Sequence, residues 1–338
     1  MRRSRFPFLS LVVLGMCYGS AIFAGFLAPY SFDAQNRELS YFPPTRIHIF
    51  DKEGRFHLHP FAYASVPRPD SFGRYKELTT SWYPIRLLVS GDEYTILGIL
   101  TARVHLFGVG KPARISLLGT DVFGRDVFSR LLFGSQVSLL ASLLAALIAV
   151  ALGMILGGVS GYYARWADAA VMRLSEVFLA MPWLYLLLAV RAALPLRMDP
   201  RETYVVLALL MGFLGWARPA RLARGVVLSV KEAEYVTAAQ SFGASRLYIL
   251  RRHIAPSLAG VLLTQLSIYI PQFILAEVTL SFLGLGVSEP AASWGNMLAD
   301  LQLFVSDPHW WLFAPVFALF IVLLAYHGLF TYIKRRTN

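Results

Sequence analysis

The chain has one cysteine and little charge. Cys17 lies in an apolar run, so neither an intrachain disulfide nor a cysteine-built metal site is available. Only 15% of the 338 residues are charged, against 57% hydrophobic. Soluble domains carry about a quarter charged residues, so an ordinary soluble fold is excluded. A phosphate loop is also missing. In Gly108-Val109-Gly110-Lys111 the motif's first glycine would fall at His105, and Pro112 stands where Ser or Thr is required. No apolar run carries paired His, Asp or Glu at metal-ligand or acid–base spacing, which leaves a membrane-embedded enzyme without its residues.

What the chain has is apolar length. Net charge is +11, yet the basic residues cluster at the ends of apolar runs, which speaks for membrane topology and against nucleic acid. Runs at 6–28, 137–159, 177–194, 204–216, 258–280 and 312–333 read as six spans. The basic opening and the small residues of 1–28 also fit a cleaved signal peptide, but the run is long enough to span, which favours an uncleaved helix. With six spans, both basic termini, the Arg165/Arg173 loop and the Arg218–Arg252 region share one side.

Three domains follow: an N-terminal helix at 1–29, an extracytoplasmic insertion at 30–118 and a helical core at 119–338. In the insertion, Arg46–Phe50, a polar turn at 51–54 and Arg55–His59 predict a β-hairpin, with further strands between Tyr94 and Phe107. His57 and His59 share a strand face with His48 opposite. They are read as solvated histidines or, less economically, as a metal site.

Four stretches carry the polar chemistry. The first is 231–257, a polar island between apolar runs. Tyr235, Ala238, Ala239 and Phe242 form a stripe at helical spacing after Glu234 and Thr237. Gly243 can end that helix with φ > 0, Ser245 can cap a second helix bearing Arg246, Arg251 and Arg252, and Pro256 should stop or kink it. The second is GTDVFGRDVFSRLLFGSQVSLL from Gly119. Thr120 or Asp121 can cap a turn, and Asp126 and Arg130 are spaced for an i,i+4 pair. Val127, Phe128, Leu131 and Leu132 would lie on the membrane surface. The third is Glu277–Ala299, with Gly284 and Gly286 turning at the membrane edge, loop from Pro290 to Asn296, and Trp310 and Trp311 anchoring the last span. The fourth is the set of polar groups inside runs. Gln265, Gln272 and Glu277 should face the bundle interior or a water-filled path, with helix–helix hydrogen bonding, and for Glu277 exposure at the interface, as the plainer readings. Arg191, near the far end of its run, snorkels to the headgroups or, as the sharper alternative, lines the pathway. Pro271 should break its helix locally. Gly153, Gly157 and Gly161, four apart, should let a second helix approach closely.

The 231–257 stretch resembles the coupling loop of binding-protein-dependent ABC import permeases. In that loop an acidic-Ala-Ala triplet is followed after three residues by Gly and later by an apolar-x-Leu-Pro ending. Thr237-Ala238-Ala239, Gly243 and Ala255-Pro256 fall on the pattern, with Thr237 in the acidic place and Ala255 in that of Leu. GTDxxGRDVxSRLLxGxxxSL, with Gly119, Thr120, Asp121, Gly124, Arg125 and Asp126, and SFLGLG followed by SWG, resemble signatures of the dipeptide, oligopeptide and nickel branch, second (C-type) permease. The resemblance covers 118–338.

It implies an all-α polytopic protein of the bacterial inner membrane, type I importer-like, with six transmembrane helices and a small β-containing insertion. It further implies cytoplasmic termini, a second homologous permease chain, two ATPase subunits that hold ATP and Mg, and an extracytoplasmic solute-binding protein. No cofactor is expected on this chain. The alternative is an ion-coupled secondary transporter using Glu277 and Arg191, which leaves the cytoplasmic hairpin without a purpose.

Overall fold

The computed structural model describes residues 6–67, 75–96, 100–163, 165–195, 198–302 and 309–337. The basic opening Met1–Arg5 lies outside them. In chain order the elements begin with α1 (Phe6–Ile22) and α2 (Ala24–Leu27), followed by β1 (His48–Phe50), β2 (Phe56–Pro67), β3 (Tyr75–Ile96) and β4 (Leu100–Val109). Then come α3 (Val127–Ser135), joined by a π-turn to α4 (Ser142–Tyr163), α5 (Arg165–Ala180), α6 (Trp183–Ala192), α7 (Pro200–Leu214) and α8 (Ala217–Lys231). The chain continues with α9 (Glu234–Ser241), α10 (Arg246–Ile249), α11 (Ala255–Phe282), α12 (Trp294–Gln302) and α13 (Ala314–Thr337).

Among the described residues, three helical stretches are long and apolar enough to cross a bilayer: Val127–Tyr163, Leu250–Phe282 and Trp310–Lys334. Two pairs qualify only as bent spans, α5 with α6 at 87° and Glu202–Leu214 with α8 at 44°. The apolar helix Phe8–Ile22 is shorter; at ~1.5 Å per residue it reaches about 22 Å against a hydrocarbon core of about 30 Å. The expected six spans are thus corrected to three among the described residues, or up to five if each bent pair counts as one.

Prolines cause the bends. Pro182 caps α6 and pushes Met181 out of helical conformation. What reads in sequence as a loop at 161–176 is therefore mostly helix, α5, turned away from a ten-residue α6. Pro219 has no N–H for the carbonyl of Gly215, four residues back. The hydroxyl of Tyr269 donates to that carbonyl instead, at 2.9 Å, and satisfies the break between α7 and α8.

The all-α expectation is also corrected. An antiparallel sheet of order β1-β2-β3-β4 occupies the insertion. The β1–β2 hairpin stands as expected. β3 is 22 residues long and changes partner midway, pairing with β2 from Tyr75 to Pro84 and with β4 from Ile85 to Ile96. Pro84 cannot donate to a ladder, and the handover falls there. His57 bonds Asp51 at 3.0 Å, and His48 lies 3.5 Å from Glu77. Among the described residues no group of three His, Cys, Asp or Glu is arranged to hold a metal.

The chain divides into two compact units: Met1–Val12, Ala141–Leu280 and Leu323–Asn338; and Val13–Leu140 and Ser281–Val322. In the first, α4 packs on α8 through the three glycines. A Cβ at Gly153 would meet Pro219 Cβ at 2.4 Å, at Gly157 Ala220 O at 2.2 Å, and at Gly161 Val227 Cβ at 2.9 Å. No other side chain fits this line, as the four-residue spacing anticipates. In the second, Tyr41, Val127, Met297, Trp311 and Leu312 form one core, and Ala24, Ala28 and Leu132 another. Val127 and Leu132 are therefore buried, and Leu131 and Phe128 pack against these cores. That corrects their expected place on the membrane surface, because α2, Tyr41, α12 and Trp311 supply apolar partners there.

Candidate coupling site and pathway residues

The hairpin at 231–257 is built from one face inward. Val236 on α9 is fully buried with Tyr162, Val227, Ile249 and Ile254. The expected apolar stripe lies on the other side. Tyr235 and Phe242 are 53% and 92% exposed, Thr237 and Ala238 are exposed, and Ala239 is half-buried. α9 ends on Gly243 at φ +80°; Gly243 N–H bonds Gln240 O and Ala244 N–H bonds Ala239 O. This is a Schellman closure, which needs a left-handed residue at that position. Ser245 then caps α10, accepting from Tyr248 N–H at 3.3 Å. Glu234 opens α9, exposed in its first turn. Lys231 donates to Tyr162 O at 2.9 Å, and Arg224 grips Asp168 with two bonds of 2.5 and 2.6 Å, so the hairpin's base is tied to α4 and α5.

Pro256 does not stop the second helix. Leu250–Ile254 forms a π-turn, with Ala255 N–H bonded to Leu250 O, and helix continues to Phe282. The wider turn makes room for the proline ring just as it enters. α11 likewise runs through Pro271.

The signature stretch 119–126 forms a knot of buried polar groups in the other unit. Asp121 accepts from the backbone N–H of Phe123 and Arg125 at 2.8 and 3.0 Å. Arg125 Nε donates to Asp121 at 2.6 Å, while Nη1 bonds Glu289 and Nη2 reaches Asp300 at 3.5 Å. Arg130 donates to Glu289 at 2.9 Å. The expected Asp126–Arg130 pair is not made. Asp126 is the N-cap of α3, its carboxylate turned onto Ser129 N–H and Oγ at 2.7 Å. Thr120 exchanges backbone and side-chain bonds with Phe42 and accepts from Trp311 Nε1 at 3.1 Å. Gly124 sits at φ +69°, where a Cβ would fall 1.8 Å from Asn36 O. Gly119 is also left-handed, at φ +67°.

Charge and burial set the protonation here. Burial raises Asp126 to about 6, against the bonds from Ser129. Burial, then Glu289, raises Asp300 to about 6. Burial disfavours the Arg125 cation, but Asp121 and Glu289 outweigh it and hold its pKa above the usual value. Sequence reasoning missed Glu289 and Asp300 as partners. The available signal was the scarcity of acids, 20 in the chain, with two of them near SWG. That motif is also helical earlier than expected, since α12 begins at Trp294. Trp310 is 63% exposed, whereas Trp311 is buried.

Of the intramembrane polar groups, Arg191, Gln265 and Glu277 are buried and Gln272 is half-buried. Gln265 and Gln272, seven residues apart on α11, share a face; Glu277 is about 140° further round. Arg191 lies on α6. Its only hydrogen bond among the described residues is to Pro195 O at 3.0 Å, so it is not joined to the α11 groups.

Helices long enough to cross a bilayer, interrupted by an exposed two-helix hairpin, define a multi-pass membrane protein. Residues 149–338 match the family described as binding-protein-dependent transport system inner membrane component. The chain belongs to that family, the permease subunits of ABC importers; it is a transport subunit and not an enzyme. It is 38% identical over 219 residues to the dipeptide transport system permease protein DppC of Bacillus subtilis, covering 64% of this chain and 67% of that one. It is 38% identical to the probable D,D-dipeptide transport system permease protein DdpC of Escherichia coli, over 68% of this chain and 73% of that one. It is 36% identical to the glutathione transport system permease protein GsiD of Pectobacterium atrosepticum, over 64% and 70%.

Proposed function

We propose that this chain forms half of a translocation pathway for di- or oligopeptides in the bacterial inner membrane. A second, related permease chain forms the other half, two ATPase subunits bind ATP and Mg, and an extracytoplasmic solute-binding protein delivers the peptide. The chain itself holds no cofactor. The names of its relatives support a peptide substrate. The 30–118 insertion and the 284–296 loop are the surfaces offered to the binding protein. Gly119–Asp126 act structurally, tying the entry to α3 to Glu289 and Asp300.

One observation carries the coupling role: α9 is anchored by Val236 and presents Tyr235, Ala238 and Phe242 outward. Knobs beside small residues fit a groove on a partner. Ala239 and Gly243 fix how the hairpin turns, and Glu234, Thr237 and Pro256 frame it. Closure of the ATPases on ATP would push α9, and because the hairpin connects α8 to α11, the push tilts both and switches the path between its two open forms. Arg191, Gln265, Gln272 and Glu277 line that path.

Ala239→Glu and Gly243→Pro in the assembled importer test the role. ATP hydrolysis should persist while uptake falls, at normal protein levels; undiminished uptake in both contradicts it. The basic ends and the hairpin are assigned to the cytoplasm on charge. Cysteine labelling at both ends and at Ala239 tests that assignment; a label at Ala239 reachable only from outside overturns it.

A further inference from the structure

Arg191 stands out among the arginines. Its guanidinium is fully buried on α6, inside a bent span. Nη1 is fixed by Pro195 O at 3.0 Å, which sets the plane of the group. Nε and Nη2, which share the opposite edge, are buried and have no partner among the described residues. At two other arginines of this chain that edge holds a single carboxylate. Arg224 gives Nε and Nη2 to the two oxygens of Asp168 at 2.5 and 2.6 Å. Arg103 gives the same two nitrogens to Glu93 at 3.0 and 2.6 Å. Two N–H donors left unmade on a buried cation within a span are costly, and such residues are kept where a charged partner arrives. The planar fork fits a carboxylate's two oxygens, whereas a lone carbonyl fills only half of it.

We propose that Arg191 is a carboxylate-recognition residue of the pathway, receiving the C-terminal carboxylate of a transported peptide on its Nε/Nη2 edge. The inference rests on the peptide reading above. The edge is closed off in this structure, so the carboxylate meets it in the state of the cycle where the helices around α6 part. Arg191 then selects for a free C-terminus, and Gln cannot replace it.

The test is uptake by the complete importer in proteoliposomes, with the binding protein in saturating excess. A dipeptide is compared with its C-terminal amide, for the natural chain and for Arg191→Gln, with assembly checked by ATP hydrolysis stimulated by the binding protein. The natural chain should prefer the free acid about tenfold, and the variant should show no preference. A preference retained in Arg191→Gln, as when the arginine serves a lipid phosphate or a partner chain's carboxylate, overturns the inference. So does a natural chain that takes up acid and amide equally. Uptake of neither peptide by the natural chain overturns the peptide reading, and the inference with it.

Discussion

Arg130 donates from Nη2 to Oε1 of Glu289 at 2.9 Å, across 159 residues of sequence. The arginine side chain is fully buried and the glutamate 43% exposed. The bond joins the start of α3 to the loop before α12. Glu289→Gln should lower stability by about 1–3 kcal/mol, below the cost of breaking a fully buried pair because water screens the glutamate. Thermal unfolding in detergent measures it, and a double-mutant cycle with Arg130→Met should show that the two losses do not add.

The α4–α8 contact offers a cleaner comparison. A Cβ at Gly157 would lie 2.2 Å from Ala220 O, while one at Gly158 meets nothing within 4 Å. Gly157→Ala should cost about 1–3 kcal/mol through overpacking. Gly158→Ala should be neutral or slightly stabilising, since alanine favours helix by up to ~1 kcal/mol. Equal melting temperatures for the two variants would show that the contact is not rigid.

In the hairpin, burial and exposure separate stability from coupling. Val236→Ala should cost about 1–3 kcal/mol, because it opens a cavity among Tyr162, Val227 and Ile249. Phe242→Ala should leave stability within ~0.5 kcal/mol, since the ring is 92% exposed. If α9 docks on a motor subunit, Phe242→Ala should nonetheless reduce ATP-driven uptake. Parallel melting and uptake assays separate the two effects.

Asp126 and Asp300 give a pH dependence of known sign. Each is raised from 3.8 to about 6 in the folded chain. The native state therefore holds protons that the unfolded chain has released. Their contribution to stability falls as pH rises from about 4 to about 6 and is absent at neutral pH. The melting temperature should rise between pH 7 and pH 5. Asp300→Asn should flatten part of that rise; an unchanged slope would remove Asp300 from the account.

Local chemistry is legible in the amino-acid order. Gly243 ends α9, Ser245 caps α10, and the polar turn at 51–54 joins two strands, because each depends only on residues a few positions away. The glycine line on α4 is legible as a close approach, though not which helix approaches. Asp126 shows the limit. Its spacing from Arg130 suits a helical pair, yet as an N-cap it turns toward Ser129, and Arg130 takes an acid far off in sequence. β3 is illegible because both its faces are largely exposed, so no period-2 pattern marks it.

The sequence by itself determined that this chain lives in a bilayer and presents a polar hairpin between apolar stretches, because hydropathy and capping are properties of short segments. Tertiary structure decided how many helices run straight through, which acids Arg125 and Arg130 meet, and that the buried Nε and Nη2 of Arg191 have no partner among the described residues. Those depend on which distant groups meet: Pro219 bends its helix where the Tyr269 hydroxyl can satisfy Gly215, and no pattern along the chain brings those residues together.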